Sequence, residues 1–280
     1  MYLKHFGLIE LPFRITPDTS FAHCARAHQE ALNTLLTALN QGEGFVKICG
    51  EVGTGKTLLC RRLLQSLDEC DEAWVTAYLP NPNLDPDTLL LALAEELGID
   101  DIAGLDQFHQ LRAINHALLD YARAKKHVAL CIDEAQAMPL ETLESLRLLS
   151  NLETEKRKLL QIVLFAQPEL DDKLSRPEVR QLKQRIAFHY RLCGLQADEV
   201  GDYVAHRLRI AGYRGDGLFD AGALRALNRA SGGTPRLINI LAHKALMSVF
   251  GEGGAQVTVR HVRLARRDTE GARQVWWPWR

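Results

Sequence analysis

The stretch Gly50-Glu51-Val52-Gly53-Thr54-Gly55-Lys56-Thr57 constrains this 280-residue chain more than any other. It fits the pattern Gly-x-x-x-x-Gly-Lys-Ser/Thr and stands between an apolar run, Phe45 to Cys49, and an apolar helical pattern, Leu58 to Leu67. Glycines let successive backbone N–H groups curl around phosphate oxygens, and the N-terminus of the following helix adds positive potential. Lys56 can neutralise charge on the outer phosphates, and Thr57 can ligate Mg2+. Gly50, Glu51, Val52, Gly53, Thr54, Gly55, Lys56, Thr57 and Leu58 are therefore the candidate nucleotide-binding set.

A second element answers the first. His127-Val128-Ala129-Leu130-Cys131-Ile132 reads as a buried strand, and it ends in Asp133-Glu134. A lone acidic pair after a strand is an ordinary cap or turn. In a chain that also carries a phosphate loop, Asp133 can serve the Mg2+ shell, and Glu134 can orient and polarise a water for in-line attack. The two acids divide the work between metal and water.

The rest of the pattern alternates. Further β-rich runs occur at Trp74 to Leu79, Leu160 to Ala166 and Phe188 to Leu192, with helix-length segments between them. Five such runs predict an α/β core with a parallel five-stranded sheet and crossover helices. Asp87 is expected to cap a helix through Leu97, Leu105 to Lys126 to form a second, and Pro139 to open a third in its first turn, through about Glu153. After Leu192 only helical patterns remain, at Ala197 to Ala211, Ala221 to Ala230, Pro235 to Phe250 and Val259 to Arg267. The expected organisation is a nucleotide-binding core over 1–192 with an N-terminal strap at 1–27, a small all-α lid over 193–267, and a tail at 268–280.

Composition narrows the class. Hydrophobic residues make up 46% of the chain, enough for a sizeable core, and no run approaches the length of a membrane-spanning helix or a signal peptide. The six cysteines show no paired metal spacing, which fits a reducing cytoplasm. Net charge is only -1, but it is unevenly placed: 13 Lys+Arg stand against 8 Asp+Glu from Cys193 onward, and 21 against 27 before it.

The ordered set of these features resembles the AAA+ (ASCE) P-loop ATPases, and within them the ExeA/GspA family of secretion ATPases, in particular the type serving biogenesis of mannose-sensitive haemagglutinin (MSHA) type IV pili. The resemblance is carried by Tyr2 to Leu8, Pro12-Phe13, Pro17-Asp18, His28 to Leu32, Gly42 to Phe45, the glycine loop, Ile132 to Gln136, Leu149 to Glu153, Gln167 to Leu170 and Ser231 to Arg236. It implies roles for further residues. Gln167 stands where the family has its sensor-1 residue, reaching the γ-phosphate or the water. Arg236 stands where it has the sensor-2 arginine that closes the lid over nucleotide. An arginine finger is expected from a neighbouring subunit, with Arg185 the first choice and Arg180 the second. The strap, with Tyr2, Phe6, Phe13 and Phe21, is expected either near the adenine or simply packed on the core.

The implied activity is Mg2+-dependent ATP hydrolysis by a homo-oligomer, with a ring as the family's form. It would act as a motor or switch with inner-membrane pilus or secretion assembly proteins, in the cytoplasm or peripherally at the inner membrane. A second reading is a DNA-associated ATPase resembling transposition or replication loaders, favoured by the basic Arg260–Arg273 stretch. A third is a nucleotide-controlled scaffold with little turnover. The tail Val275-Trp276-Trp277-Pro278-Trp279-Arg280 suits a partner pocket, an anionic membrane surface, or folding back on its own domain.

Overall fold

Five apolar runs become five parallel strands: β1 (Phe45–Cys49), β2 (Trp74–Leu79), β3 (His127–Ile132), β4 (Gln161–Ala166) and β5 (Phe188–Arg191), in the order β2-β3-β4-β1-β5. The computed structural model describes residues 2–15, 25–70, 73–100, 102, 104–154 and 157–273. Pro17, Asp18, Phe21 and the tryptophan tail at 274–280 lie outside the described residues. By packing, the chain divides into two units, one of Glu30–Val52 with Leu59–Leu192, the other of Met1–Gln29, Gly53–Leu58 and Cys193–Arg280.

In the sheet unit, β1 and β4 are buried along their whole length, as expected of parallel strands covered on both faces. Phe45 and Phe165 are among the largest side chains fully withdrawn from water, each worth about 1.5–3 kcal/mol of burial. Edge strand β5 instead alternates half-buried with exposed positions. The sheet and the helices α4 (Pro86–Glu96), α5 (Gln107–Arg123) and α6 (Leu140–Leu149) share one hydrophobic core.

The helix ends differ in detail from the sequence expectation. Asp85, not Asp87, caps α4: its carboxylate accepts the Thr88 N–H at 2.9 Å, while Pro86 fills the first helical position, where a missing N–H loses nothing. Helix α5 starts two residues late because Asp106 caps it, accepting the His109 N–H at 2.9 Å. Pro139, extended at ψ 156, precedes α6 as its N-cap. That helix stops at Leu149, where the Ser150 hydroxyl donates back to the Arg147 carbonyl at 2.7 Å.

The second unit is helical: α1 (Leu3–Phe6), α9 (Glu199–Ile210), α10 (Ala221–Ser231), α11 (Pro235–Gly251) and α12 (Val259–Arg267). The N-terminal strap, grouped with the core in the sequence reading, packs in this unit. Tyr2, Phe6, Leu8 and Phe13 are buried in its hydrophobic cluster. The Arg207 guanidinium fastens the strap, donating to the Pro12 carbonyl at 2.6 Å and the Arg14 carbonyl at 3.4 Å. Burial pushes the Tyr2 phenol up to about 12, and its hydroxyl lies 2.9 Å from His243 Nδ1. No helix among the described residues is long and apolar enough to cross a membrane.

Candidate functional site

Parallel strands deliver their C-terminal ends to one edge, and ligands of open α/β sheets bind at that edge. Register places Cys49 opposite Ala166, so the residues that follow, Gly50 and Gln167, leave the sheet side by side; the Gly50 N–H donates to the Ala166 carbonyl at 3.0 Å. Register also places Ile132 opposite Leu164, so Asp133 and Glu134 leave at the same edge. The Asp133 N–H still bonds the Leu79 carbonyl at 2.9 Å, extending the ladder by one residue, and Asp133 itself is only 3% exposed.

Glu134 then turns sharply. It has φ 52 and ψ 37, the left-handed region that costs a residue with a Cβ about 1–2 kcal/mol. Its own N–H bonds Asp133 Oδ1 at 3.0 Å. Its Oε2 accepts two amide donors, Gln136 Nε2 at 2.5 Å and Gln167 Nε2 at 2.9 Å. Gln136 also accepts the Gln167 backbone N–H on its Oε1 at 3.0 Å, tying the ends of β3 and β4 together. Both donors sit on one carboxylate oxygen, Oε2. The structure thus brings Asp133, Glu134 and Gln167 together.

The remainder of the glycine loop belongs to the helical unit, and its geometry is that of a cradle. Gly53 has φ +80 and Gly55 φ +100, conformations that only glycine adopts without strain. A Cβ on Gly53 would stand 2.5 Å from Arg236 Cβ, and one on Gly55 would stand 2.6 Å from His28 Nε2. Arg236 is in contact here: its backbone N–H donates to the Gly53 carbonyl at 3.3 Å from the first turn of α11. Gly233, at φ +79, lets that turn pass the Leu195 carbonyl, where a Cβ would fall at 2.1 Å. Lys56 opens α3 (Lys56–Asp68) and is 5% exposed; Thr54 is buried, Thr57 and Leu58 half-buried, and Glu51 and Val52 exposed. A bent loop of backbone N–H groups with a buried lysine fits a polyphosphate, and a threonine hydroxyl is an oxygen ligand of the kind Mg2+ takes.

The two arginines weighed as trans fingers are differently placed. Arg185 is half-buried, and its Nη1 donates to Ser150 Oγ at 2.6 Å and to the Arg147 carbonyl at 3.2 Å. Arg180 opens α8 (Arg180–Arg185) and is exposed. A separate cluster of Cys49, Asp171 and His189 brings three donor atoms within 4.8 Å, but the Lys47 ammonium already pairs with Asp171.

Two residues had no assigned role in the sequence reading. Gln136 follows the acidic pair by two positions, and only the approach of β4 shows what it holds. His28 lies 26 residues before its partner: its Nε2 is 2.9 Å from the Thr54 carbonyl. Neither pairing has a spacing signal.

Comparison with known proteins agrees with this geometry. Residues 38–174 match the family model described as AAA domain. General secretion pathway protein A of Aeromonas hydrophila is 43% identical over 275 residues, covering 98% of this chain; the chain spans about half, 49%, of that relative's length. Among solved structures, Cdc6p of Pyrobaculum aerophilum is similar with a TM-score of 0.67 at 16% identity, over 92% of this chain and 73% of that one. The ORC2 protein of Aeropyrum pernix follows with 0.63 at 17% and the same coverage. The RuvB Holliday junction branch migration motor of Thermotoga maritima gives 0.56 at 16%, again over 92% and 73%. At these identities the structures speak for the fold alone. The chain has an AAA-type P-loop fold and is similar, along nearly its whole length, to General secretion pathway protein A.

Proposed function

We propose that the chain binds ATP with Mg2+, hydrolyses it, and acts as a nucleotide-driven switch or motor in assembling an envelope secretion or type IV pilus complex. The observation that carries the chemical part is the Glu134 carboxylate, fixed through Oε2 by two amides at the carboxyl edge of the sheet. The envelope role rests on the 43% identity to General secretion pathway protein A.

In this reading the backbone N–H groups of Gly53 to Thr57 and the Lys56 ammonium grip the outer phosphates. Thr57 and Asp133 would offer oxygen ligands to Mg2+, which would supply charge neutralisation at the phosphates. Glu134 orients the water and accepts its proton, while Gln167 keeps the carboxylate from rotating. Arg236 follows α11 and couples lid position to the γ-phosphate; its planar fork suits that contact. A neighbouring copy supplies the finger. Exposed Arg180 can reach across a subunit boundary as it stands, whereas Arg185 would first have to leave Ser150.

The assembly role is tested by capture with a Glu134→Gln protein held in its ATP state. Recovery of inner-membrane secretion or pilus assembly proteins with ATP, and not with ADP, is expected. Recovery of the same proteins in either nucleotide state, or of none, contradicts a nucleotide-driven role.

A further inference from the structure

Helices α10 and α12 leave a groove of about 380 Å³ between them, on the helical unit and apart from the glycine loop. Four arginines line it, Arg229 from α10 and Arg263, Arg266 and Arg267 from α12, together with Ala226, Ala230, Val259 and Val262; no acidic residue lines it among the described residues. Among the other basic residues of this unit, Lys244 pairs with Asp268 at 2.9 Å and Arg260 with Glu252 at 3.3 Å. The groove arginines make no such ion pair among the described residues.

This placement is costly unless an anion comes. Arg263, Arg266 and Arg267 stand at i, i+3 and i+4, neighbours about 5–6 Å apart at Cβ, and like charges so spaced destabilise a helix by about 0.2–0.5 kcal/mol per pair. Favourable interaction with the helix C-terminus accounts for Arg266 and Arg267 in the last turn of α12. The same interaction accounts for Arg229 in the last turn of α10, but not for Arg263, which adds a third charge to α12. Guanidinium groups on both walls of a recess suit a chain of phosphates lying along it. A lipid surface would call for several large apolar side chains protruding beside the charges; α12 exposes one, Leu264, and the apolar residues lining the groove are Ala226, Ala230, Val259 and Val262.

We infer that the α10–α12 groove is a binding site for the phosphodiester backbone of a nucleic acid, held through Arg229, Arg263, Arg266 and Arg267. Contacts of this kind are independent of sequence and sensitive to salt. Four phosphate contacts give a log–log salt slope of about -3.6 on duplex DNA, so affinity falls roughly a hundredfold between 50 and 200 mM salt.

The test is fluorescence anisotropy of the full chain with a labelled 20-base-pair duplex across that salt range, for the wild type, Arg263→Ala/Arg267→Ala, and Arg112→Ala/Arg123→Ala on α5 of the sheet unit. The groove variant should retain a slope of about -1.8, a loss of only about tenfold over the same range, while its ATP affinity stays unchanged. The α5 variant, with the same change in net charge, should match the wild type. Absence of duplex binding at 50 mM salt, or equal slopes in the two variants, overturns the site. A parallel arm sediments the proteins with phosphatidylserine-containing vesicles. Vesicle binding that needs Arg263 and Arg267, without duplex binding, assigns the groove to a lipid surface and also overturns the inference.

Discussion

Replacing Gln136 by alanine isolates what the network at the sheet edge does. In the structure Glu134 holds a left-handed backbone, and its carboxylate is pinned by Gln136 Nε2 at 2.5 Å and Gln167 Nε2 at 2.9 Å. A hydrogen bond to a charged group is worth about 1.5–3 kcal/mol. Glu134 and Gln136 are both half-buried, so water replaces part of that bond and the lower figure applies. At about 1.4 kcal/mol per factor of ten, Gln136→Ala should slow single-turnover ATP cleavage roughly tenfold. ATP affinity, set by the loop and Lys56, should change by less than about twofold, since the lost contact lies on the carboxylate and not on the loop. Quenched single-turnover reactions with radiolabelled ATP, paired with fluorescent-nucleotide titration, measure both. Gln136→Glu keeps the length but puts a second carboxylate beside Glu134, and should cost more than the alanine. An unchanged cleavage rate, or a loss of affinity equal to the loss of rate, would refute the positioning role.

Gly53→Ala forces a Cβ at φ +80 to within 2.5 Å of Arg236 Cβ; the backbone strain alone is about 1–2 kcal/mol, so ATP affinity should fall about tenfold or more by titration, and an unchanged Kd would contradict the geometry. Arg207→Ala leaves the Pro12 carbonyl without its guanidinium donor and should lower stability by about 2–4 kcal/mol in chemical denaturation, with the strap more readily cut by protease; a wild-type midpoint would show the strap is held otherwise. Burial, with Arg157 beside His127 and Lys47 near His189, holds His127, His189 and His243 below the usual imidazole value of 6.5. As pH falls through that value the unfolded chain therefore takes up protons before the folded one, and stability should decline between about pH 7.5 and pH 5.5; a midpoint that rises on acidification would reverse the sign.

The strands were legible because burial on both faces forces near-continuous apolar runs: β1, β2 and β3 match their expected limits, β4 starts one residue later and edge strand β5 ends one residue earlier. Helix ends were less so. Around Pro86 two aspartates compete for the cap, and the choice is made by proline's fixed φ, which puts Asp85 outside the helix and Asp87 in its first turn. The loop and the acidic pair were legible because their chemistry is local in sequence. Gln136 and His28 were not, because their partners, the ends of β4 and of the glycine loop, lie 31 and 26 residues away and meet them only after the chain folds. The packing of Tyr2, Phe6 and Phe13 in the helical unit was hidden for the same reason: Arg207, which fastens the strap, is 195 residues from Pro12.

In the proposed mechanism one carboxylate at the sheet edge drives cleavage of a nucleotide whose phosphates the glycine loop holds. Single-turnover hydrolysis by wild type, Glu134→Gln and Lys56→Ala, each with its measured ATP affinity in Mg2+, tests it most directly. Glu134→Gln should bind ATP as the wild type does and lose cleavage by about two orders of magnitude or more, while Lys56→Ala should lose binding itself. Cleavage by Glu134→Gln at the wild-type rate, or a wild type that binds no ATP, would contradict it.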